Sequence, residues 1–476
     1  MSKTIIIWFR QDLRREDNPA LHSAYEEGAK ILPVFIEDDD TPKSWKRGAA
    51  SKWWLYHSLQ SLNTSLSNNL NLFTGKPQDI LPALIQDTGA DAVYWNRCYE
   101  PWRKERDKEI KKALEDDGVE VKSFKAGLIW EPWTISTKQG TPYKVFTAFY
   151  KNGCLEAGEP DRPLPAPDRL TYHNKVSSAV KLEELGLIPE KDWYKKMEKH
   201  WSIGEESAKN ALSHFIKHSV DDYNTMRDRP GVEGTSKLSP HLHFGEISPR
   251  TAWHEVRKHQ HMSKGSNKDS DVFLSELGWR EFSYNLLYHF EDRITDKPLN
   301  EKFKNFPWQK NKNALTAWKK GKTGYPIVDA GMRQLWEKGW MHNRVRMIVA
   351  SFLIKDLMVH WAEGEKWFWD CLVDADLANN SASWQWVAGC GADAAPFFRI
   401  FNPVLQGEKF DPKGEYVSEW CPELSKLPNK YIHKPWEADQ TTLEKAGVKL
   451  GDTYPRPIVD HSEARDEALT AYKKLK

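Results

Sequence analysis

Residues suited to binding a planar ring and a polar partner are concentrated in the segment 339–399. Asn343, Arg346 and Met347 are spaced by three and four positions, so they share one face of a helix. Residues 340–362 contain no Gly or Pro, and the sequence predicts one long helix there. An amide, a guanidinium and a thioether on one face are compatible with ordinary core packing, and equally with one wall of a binding site.

A second polar cluster precedes two tryptophans. It consists of Asp374, Asp376, Asn379 and Asn380. Asp and Asn favour turns and helix starts, so the sequence predicts a helix that begins near Asn380. In that helix Trp384 lies one turn after Asn380, whereas Trp386 points about 200° away from Trp384. One indole would face what Asn380 faces and the other would face elsewhere, which suits a cofactor on one side and a substrate on the other.

Two further segments carry residue types that bind nucleotides. Glu276, Trp279 and Arg280 are spaced so that they share a helix face. They can form a surface pair, or a carboxylate aimed at a base edge beside a stacking platform, where stacking contributes about 1–3 kcal/mol per base. Gly234-Thr235-Ser236 is a hydroxyl-rich turn before a predicted helix. It can be an ordinary helix cap, or it can accept a phosphate through backbone N–H groups.

The elements that would position these residues begin with an alternation of strands and helices. Short apolar runs predict five buried parallel strands, at residues 5–9, 31–36, 70–73, 92–95 and 119–124. Helical periodicity predicts four helices between them, at residues 19–28, 49–67, 77–88 and 102–117. The predicted fold of this part is a doubly wound, Rossmann-like parallel sheet. It contains no GxGxxG and no P-loop, so no dinucleotide or triphosphate site is indicated.

The rest of the chain predicts a helical domain. Four prolines within residues 158–169 indicate an extended linker. Beyond residue 200, periodic runs predict long helices at residues 204–218, 271–290 and 341–361. The sequence therefore predicts an α/β plus all-α fold. Its parts are an α/β domain at residues 1–130, an interdomain linker at 131–200 and a helical domain at 201–476.

The composition excludes several classes of protein. Lys plus Arg (69) nearly balance Asp plus Glu (68), so a nucleic-acid partner would have to be recognised by a local basic surface. Five scattered cysteines without a CxxC pair argue against a zinc ribbon, an iron–sulfur cluster and a disulfide scaffold. No stretch reaches the roughly 18 apolar residues of a membrane span, and the N-terminal apolar run is too short for a secretory signal. We expect a soluble, intracellular (cytoplasmic) protein.

Taken together, these segments resemble one known family. WMHNRVRM (residues 340–347), DADLANN (374–380), WQW (384–386) and FRIFNP (398–403) are similar to the flavin-binding domain of the photolyase/cryptochrome family. WFRQDLR (8–14) is similar to the start of the family's N-terminal domain, so the resemblance covers nearly the whole chain. Within the family, the sequence is most similar to the microbial photolyases of class I or III, which repair cyclobutane pyrimidine dimers (CPDs).

The resemblance implies an FAD cofactor and light-driven chemistry. Reduced FAD, excited by light, lends one electron to the dimer and receives it back after the ring opens, without a nucleophile or a metal. The positions that match the family's FAD contacts are Tyr223, Thr235, Ser236, Lys237, Leu238, Ser239, Arg346, Asp374, Ala375, Asp376 and Asn380. Of these, Asn380 would lie beside the reactive flavin nitrogen, and Arg346 would pair with Asp374 beside the ring.

The resemblance also implies a pocket for a dimer that is flipped out of UV-damaged DNA. The matching catalytic positions are Glu276, Asn343, Met347, Asn380 and Trp386. The matching DNA contacts are Arg227, Glu276, Trp279, Asn343, Arg344, Met347, Trp386, Arg399 and Gln406. The (6-4) photolyases of the family tend to have histidines where this chain has Asn343 and Met347, so both residues favour CPD as the substrate. Phosphate contacts of this kind are largely independent of sequence.

Three of the 23 tryptophans match the family's electron relay, which carries electrons from the surface to the flavin during photoreduction. They are Trp308, Trp361 and Trp384. Core packing is the simpler expectation for any single indole, so the relay assignment rests on the resemblance alone.

The resemblance further implies a light-harvesting antenna chromophore in the α/β domain. We expect methenyltetrahydrofolate, with 8-hydroxy-deazaflavin or an empty site as the alternatives. Folate-binding relatives often have an Asn-Glu pair where this chain has Trp102-Arg103, which leaves the alternatives open. The predicted antenna contacts are Arg10, Trp102 and Arg103.

Other functions remain open from the sequence. They are a blue-light-sensing cryptochrome that signals through partners, a (6-4) photolyase, and a flavoprotein electron carrier without a DNA substrate. Only about fifty residues follow Leu424. We therefore expect no long signalling tail, which favours repair, and a monomer would suffice for it.

Overall fold

The computed structural model describes residues 3–38, 41–263, 267–394 and 398–475. The chain forms two compact units. The first unit consists of Met1–His218, Ser236–His289 and Val373–Asp376, and the second of Ser219–Thr235, Phe290–Leu372 and Leu377–Lys476. The predicted domain boundaries near residues 130 and 200 follow the order of elements along the sequence, and they stay a prediction.

The first unit contains a parallel β-sheet. Its strands are β1 (Thr4–Phe9), β2 (Lys30–Asp38), β3 (Asn71–Gly75), β4 (Ala92–Asn96), β5 (Glu120–Phe124) and β6 (Thr171–Tyr172). The strand order is β3-β2-β1-β4-β5, and β6 pairs with the start of β2. The chain winds from β1 to β3 on one side and from β4 to β5 on the other, so the predicted doubly wound sheet is confirmed. Every residue of β1 and β4 is buried, which explains their continuous apolar sequences.

Helices make up most of the remaining regular structure. In chain order they are α1 (Pro19–Glu26), α2 (Ala49–Ser65), α3 (Pro77–Thr88), α4 (Pro101–Asp116), α5 (Phe146–Phe149), α6 (Glu205–His218), α7 (Tyr223–Met226), α8 (Ser239–Phe244), α9 (Pro249–Met262), α10 (Lys268–His289), α11 (Glu291–Ile294), α12 (Lys312–Lys319), α13 (Pro326–Lys338), α14 (Asn343–Ser351), α15 (Trp361–Cys371), α16 (Leu377–Ala388), α17 (Pro403–Phe410), α18 (Glu415–Trp420), α19 (Asn429–Ile432), α20 (Gln440–Ala446) and α21 (His461–Lys473). The first unit holds α1 to α6 and α8 to α10, and the second holds the others.

The four helices predicted between the strands are α1 to α4, and their ends lie within two residues of the predicted ones. Local signals set these ends. Asn18 caps α1 by accepting a hydrogen bond from the N–H of Leu21, and Pro19 occupies the first turn. Gly89, in the left-handed conformation, ends α3. Local rules therefore suffice for the helices beside the sheet.

The second unit is built from helices, which confirms the predicted all-α part. Strand-like pairing among its described residues is limited to isolated bridges such as Gln309 with Val359. In the part of the chain that the structure describes, no helix is both long enough and apolar enough to cross a membrane.

The predicted single helix over residues 340–362 is wrong. α14 ends at Ser351, a π-helical turn occupies Phe352–Asp356, and α15 begins only at Trp361. Met358, between the π turn and α15, has a positive φ of 48°, which no helix continues through. The absence of Gly and Pro permits a helix but does not enforce one, and here the chain turns between two packed helices.

Candidate functional site

Asp376, in the first unit, is a buried carboxylate that three polar side chains surround. The Tyr284 hydroxyl donates to Asp376 Oδ2 at 2.5 Å, and His243 Nδ1 lies 3.4 Å from the same oxygen. Burial alone would raise the pKa of Asp376, but the contact with His243, the positive charge of Arg280 and the Tyr284 hydroxyl hold it well below its usual range. Asp376 is therefore an ionised acceptor with a fixed orientation.

Glu276, Trp279 and Arg280 lie on α10, as predicted, but their surroundings differ. The Trp279 indole stacks on Phe146, with ring centroids 3.8 Å and planes 10° apart. The Arg280 guanidinium lies 4.9 Å from the ring of Tyr284, inside the first unit. Glu276 is half-buried. One face of the indole is thus covered by a packing partner, and the arginine belongs to the interior rather than to a shared binding face.

The segment 236–239 precedes α8. Lys237 adopts a positive φ of 53°, and the N–H of Leu238 lies 3.4 Å from Ser236 Oγ. The first helical residue is Ser239. The turn at residues 234–236 precedes a helix, as predicted, but Lys237 in the left-handed conformation and Leu238 lie between the turn and α8.

In the second unit, Tyr223 and Thr235 lie on a tightly folded segment. Tyr223 is buried, and the guanidinium of Arg227 lies 5.5 Å from its ring. A Cβ added to Gly234 would come within 2.7 Å of the Met226 carbonyl oxygen, so only glycine fits there. The close approach of these two backbones fixes the chain just before Thr235.

Asn343, Arg346 and Met347 lie on α14 of the second unit, as predicted. Asn343 is exposed at the first helical position, and Met347 is half-buried. Arg346 Nε donates to the carbonyl oxygen of Met341 at 2.7 Å. An exposed amide beside a half-buried thioether is a surface that a ligand can cover. The pairing of Arg346 with Asp374 stays a prediction.

The residue before this helix is its cap. His342 Nδ1 accepts a hydrogen bond from the N–H of Arg344 at 3.2 Å, and the side chain is 2% exposed. Burial lowers the pKa of His342 to about 4, so the imidazole is neutral near pH 7 and can act as the acceptor. The cap fixes the helix start that carries Asn343.

Arg344 and Gln406, two predicted DNA contacts of the second unit, differ in their hydrogen bonds within the protein. Arg344 donates through Nη2 and Nε to Asp228 Oδ1 at 2.8 and 3.1 Å, and its guanidinium lies 4.4 Å from the ring of Phe410. Gln406, in contrast, has a buried Oε1 without a hydrogen-bond partner. Arg344 is therefore held by the protein, whereas the Gln406 oxygen is left for another donor.

Asn380 lies on α16 one turn before Trp384, as predicted. Its Nδ2 donates to the carbonyl oxygen of Glu365 at 3.2 Å, and Ser381 Oγ donates to Glu365 Oε1 at 2.5 Å. Burial raises the pKa of Glu365 to about 8, although the Ser381 hydrogen bond opposes the rise. The carboxyl is therefore mainly protonated at neutral pH, and the Asn380 amide is oriented by neutral groups.

Trp384 is enclosed by aromatic rings and a glycine. Its indole is 2% exposed and lies 5.0 Å from Phe368 and 6.3 Å from Trp318, measured between ring centroids. A Cβ on Gly364 would approach the Trp384 ring to 2.1 Å. Only glycine allows α15 to pack this closely on the indole.

The other two predicted relay tryptophans flank a histidine. The ring of His360 lies 5.3 Å from Trp361 and 5.0 Å from Trp308, again between centroids. Trp361 is 1% exposed, and Trp308 is half-buried. The aromatic side chains therefore run from the interior of the second unit to its surface.

Trp386 and Arg399 line a small cavity of the second unit, with a volume of about 10 Å³. Trp386 is half-buried, and the exposed Arg399 places its guanidinium 5.2 Å from the indole centroid. The buried Lys355 lines the same cavity. A guanidinium over an indole is a stable cation–π arrangement, and it offers both a positive charge and an aromatic surface to a ligand.

The predicted antenna contacts do not form a binding surface. Arg10 is buried and pairs with Asp107 at 2.5 Å, and Arg103 is buried and pairs with Glu100 at 3.3 Å. Their charges serve the interior of the first unit, which argues against the predicted role. Trp102 is half-buried, and its Nε1 has no hydrogen-bond partner.

A larger cavity of the first unit has a volume of about 320 Å³ and opens to solvent. Its lining consists of Trp53, His57, Gln60, Ser61, Thr64, Glu198, Trp201 and Ile203. Two of these residues have a buried ring nitrogen without a hydrogen-bond partner, Nε1 of Trp53 and Nε2 of His57. Burial lowers the pKa of His57, although the hydrogen bond with Gln60 and the charge of Glu198 oppose this shift. Indole walls and unpaired ring nitrogens suit a planar ring with a polar edge.

Two family models match this chain. One, described as DNA photolyase, matches residues 5–168, and the other, described as the FAD binding domain of DNA photolyase, matches residues 273–474. A deoxyribodipyrimidine photo-lyase of Agrobacterium fabrum (strain C58) is 50% identical over 99% of this chain and 98% of its own length. The chain belongs to the photolyase/cryptochrome family.

The family includes both photolyases and cryptochromes with sequences similar to this chain. Cryptochrome-2 of Arabidopsis thaliana is 39% identical over 98% of this chain and 78% of that protein. A crystal structure of a bacterial class III photolyase from Agrobacterium tumefaciens is similar with a TM-score of 0.95 and 49% identity, covering 100% of this chain and 98% of the other. The resemblance to the photolyase/cryptochrome family and the predicted fold class are thereby confirmed, and the helical part is an FAD-binding domain. The roles of single residues stay predictions.

Photolyase/cryptochrome motifs did not reveal every residue that supports the site. In the sequence, Lys355 is only one of several basic residues. Its position directly after the apolar run Phe352-Leu353-Ile354 is the one signal that its charge is buried. Glu365 has no such signal, because its role depends on the contact between α15 and α16. The cavity of the first unit joins α2 to residues beyond 197 and was invisible for the same reason.

Proposed function

We propose that this protein repairs cyclobutane pyrimidine dimers in UV-damaged DNA by light-driven electron transfer, as a deoxyribodipyrimidine photolyase. The observation that carries the proposal is the 50% identity to the Agrobacterium photo-lyase over nearly the full length of both chains. Asn343 and Met347 support CPD over the (6-4) photoproduct, because (6-4) photolyases tend to have histidines at these positions. A neutral amide and a thioether cannot supply the proton transfer that such histidines perform.

FAD is the cofactor of the FAD-binding domain, and its proposed contacts are those that the family resemblance implies. They are Tyr223, Thr235, Ser236, Lys237, Leu238, Ser239, Arg346, Asp374, Ala375, Asp376 and Asn380. The donor and acceptor set suits a flavin. Asp376 is an ionised acceptor for N–H or O–H groups, and Asn380 is an amide of fixed orientation. When bound, the flavin supplies the light-excited electron and takes it back.

The residues proposed to face the flavin control its charge and protonation. Asn380 lies beside the reactive nitrogen in this proposal, where its amide adds neither charge nor a ready proton. Its Nδ2 donates to the carbonyl oxygen of Glu365, so this end of the amide points away from the proposed flavin position. Arg346 would favour a reduced, anionic flavin through its positive charge, with Asp374 as its counter-ion.

The residues proposed to hold the dimer combine polar contacts with stacking. Glu276 and Asn343 would bind the bases and share the charge of the reduced dimer, in a site from which water is excluded. Met347 and Trp386 would pack on the dimer, and Trp279 would form another wall. The Trp279 and Trp386 rings are held by Phe146 and Arg399, respectively, which supports their use as stacking surfaces.

DNA around the dimer would be bound through phosphates by a positive rim. The proposed rim residues are Arg227, Arg344, Arg399 and Gln406. Such contacts are largely independent of sequence and weaken with salt. The buried, unpartnered Oε1 of Gln406 supports its inclusion, because a ligand donor would satisfy it.

Trp384, Trp361 and Trp308 are proposed to restore reduced FAD by carrying electrons from the surface. Their graded burial, from 2% and 1% exposure to half-burial, supports this path. His360 lies between Trp361 and Trp308 and brings the two rings into one aromatic cluster.

The antenna chromophore is proposed to be methenyltetrahydrofolate, bound in the cavity lined by Trp53 and Trp201. A pterin is planar and carries both donors and acceptors at its edge. It could therefore stack on indole and accept from Trp53 Nε1, while Glu198 accepts from its amino group. A deazaflavin, the alternative, has a longer ring system, and the cavity can also be empty.

A blue-light-sensing cryptochrome is the second candidate function, favoured by the 39% identity to Cryptochrome-2 of Arabidopsis thaliana. A (6-4) photolyase is the third. An intracellular location and a monomeric state complete the proposal.

The deciding experiment uses purified, photoreduced protein with its FAD and an oligonucleotide that carries one CPD. We expect loss of the dimer under blue or near-ultraviolet light and none in darkness. Repair of a (6-4) lesion in place of CPD would contradict the substrate. Repair of neither lesion by protein with fully reduced FAD would favour the cryptochrome function.

A further inference from the structure

The π-helical turn at Phe352–Asp356 carries a buried lysine that the proposed repair chemistry does not use. Lys355 is 2% exposed. Its ammonium donates a hydrogen bond to the backbone carbonyl oxygen of Arg399 and lies 4.5 Å from the ring of Phe398. A buried ammonium is unfavourable unless it is paired, so these contacts offset its desolvation.

A second hydrogen bond holds the same segment. The N–H of Phe401 donates to Ser351 Oγ at 3.1 Å. Ser351 is the last residue of α14 and lies four positions before Lys355, at the spacing that brings side chains to one side of a helix. Residues 398–401 are therefore attached at two points to the end of α14 and its π turn.

The attached segment presents Arg399 to the cavity. The Arg399 side chain is exposed, and its guanidinium lies 5.2 Å from the indole centroid of Trp386. Both residues line the cavity together with Lys355. A bond to the carbonyl of a residue restrains its backbone dihedrals, and hence the direction in which its side chain leaves the chain.

We propose that Lys355 is a positioning residue of the lesion site: its ammonium fixes the backbone of Arg399, so that the guanidinium stays over Trp386 and meets the DNA there. The inference rests on the proposed function, which assigns Trp386 and Arg399 to the substrate. In this proposal Lys355 acts on the DNA through Arg399.

The electrostatics of the position support this role. Burial lowers the pKa of Lys355 to about 7, with Asp356 raising it, Arg399 lowering it and Cys390 nearby. Asp356 is itself hydrogen-bonded to His461 Nδ1 at 2.5 Å. An apolar residue at such a position is often neutral or favourable for stability. The charged lysine at this buried position is therefore better explained by its hydrogen bond to the Arg399 carbonyl than by a contribution to stability.

The test measures dark binding of the FAD-loaded protein to two labelled oligonucleotides, one with a single CPD and one undamaged. We expect Lys355→Met to weaken CPD affinity about tenfold, as for the loss of a charge-assisted hydrogen bond. Arg399→Ala should weaken it at least as much, and the double variant should equal Arg399→Ala within about twofold. At saturating DNA, Lys355→Met should repair with the wild-type yield per absorbed photon. Lys366→Met, an exposed lysine on α15, is the matched control.

The outcomes separate the inference from the function. A wild type that does not distinguish CPD from undamaged DNA contradicts the proposed function and this inference with it. A wild type that does, with Lys355→Met equal to it, contradicts the positioning role alone. A further tenfold loss in the double variant also overturns the role, because Lys355 would then not act through Arg399. If Lys355→Met does not fold, two other variants test the role. Lys355→Arg should bind the CPD oligonucleotide within about threefold of wild type, and Ser351→Ala should bind it about threefold more weakly. A Ser351→Ala variant with unchanged affinity overturns the positioning role.

Discussion

Each unit of this photolyase/cryptochrome family member has a cavity lined by tryptophan. The two cavities differ in whether their buried polar groups have hydrogen-bond partners. In the first unit, ring nitrogens of Trp53 and His57 are buried without hydrogen-bond partners. In the second unit, the ammonium beside Trp386 is bound to the carbonyl of Arg399. Unpaired polar groups that line a roomy cavity suit a ligand with complementary groups, whereas paired ones form a wall whose side chains are already held in place.

We infer from this difference in hydrogen bonding that the tryptophans of the two cavities have different tasks. The larger cavity, about 320 Å³, has room for a small planar group. The smaller one, about 10 Å³, has room for little more than a water molecule and borders an exposed arginine, so a ligand there would remain outside it. Light harvesting and lesion binding should therefore fail independently when either site is altered.

The largest expected effect follows removal of the indole proposed to pack on the dimer. Trp386→Ala should weaken CPD affinity about 10- to 100-fold, because base stacking on an aromatic ring contributes about 1–3 kcal/mol. Affinity for undamaged DNA should change little. Anisotropy titrations with both oligonucleotides measure this. Trp336→Ala, an exposed indole of the same unit, is the control, and an equal loss in both variants would remove the special role of Trp386.

The next effect concerns the other cavity. Trp53→Ala should reduce bound antenna chromophore at least tenfold, since it removes both a stacking wall and a donor. CPD affinity should stay at the wild-type value. The absorption spectrum of the purified protein, with FAD as the internal reference, measures the loss. Trp133→Ala, an exposed indole also in the first unit, should keep the chromophore, and the reverse pattern would place the antenna elsewhere.

The two cavities should also respond differently to pH. The pKa of Lys355 is lowered to about 7 by burial, so its charge is present below pH 7 and is lost as the pH rises through 7. The bond to Arg399 then loses its charge assistance, and CPD affinity should fall about fivefold between pH 6 and pH 8. Burial lowers the pKa of His57, so we expect antenna binding to change less than CPD affinity over this range. A Lys355→Met variant whose CPD affinity still falls fivefold would exclude Lys355 as the titrating group.

The smallest effect concerns Arg344, one of the proposed phosphate contacts of the second unit. Asp228 holds the Arg344 guanidinium, a partly exposed pair that contributes at most about 1 kcal/mol. Asp228→Asn should release Arg344 toward phosphate, raise affinity for undamaged DNA about twofold and steepen its salt dependence. Titrations at low and high salt measure both changes. Asp466→Asn, which loosens an exposed pair on α21, is the control, and equal gains in both variants would indicate only a net-charge effect.

Much of the fold follows from the sequence because its signals are local. The strands β1 and β4 are buried on both faces and read as short apolar runs, and α1, α3 and α4 begin at prolines. The placement of Asn380 one turn before Trp384 follows from helix geometry in the same way.

The remainder depends on contacts between distant parts of the chain. The break after Ser351 could not be predicted, because no Gly or Pro marks it and packing against other helices decides it. The same break turns Lys355 toward Arg399, 44 positions later. The cavity of the first unit likewise joins Trp53 to Trp201, and sequence patterns do not report such pairs.

The central claim, that one cavity gathers light and the other holds the lesion, is tested most directly by the action spectrum of CPD repair. The wild-type protein, purified with its chromophores, should show an antenna band in addition to the flavin bands. Trp53→Ala should lose the antenna band alone, whereas Trp386→Ala at subsaturating DNA should lower all bands in proportion. A wild-type spectrum that follows the flavin alone, or a Trp53→Ala spectrum lowered equally at all wavelengths, would contradict the division of tasks.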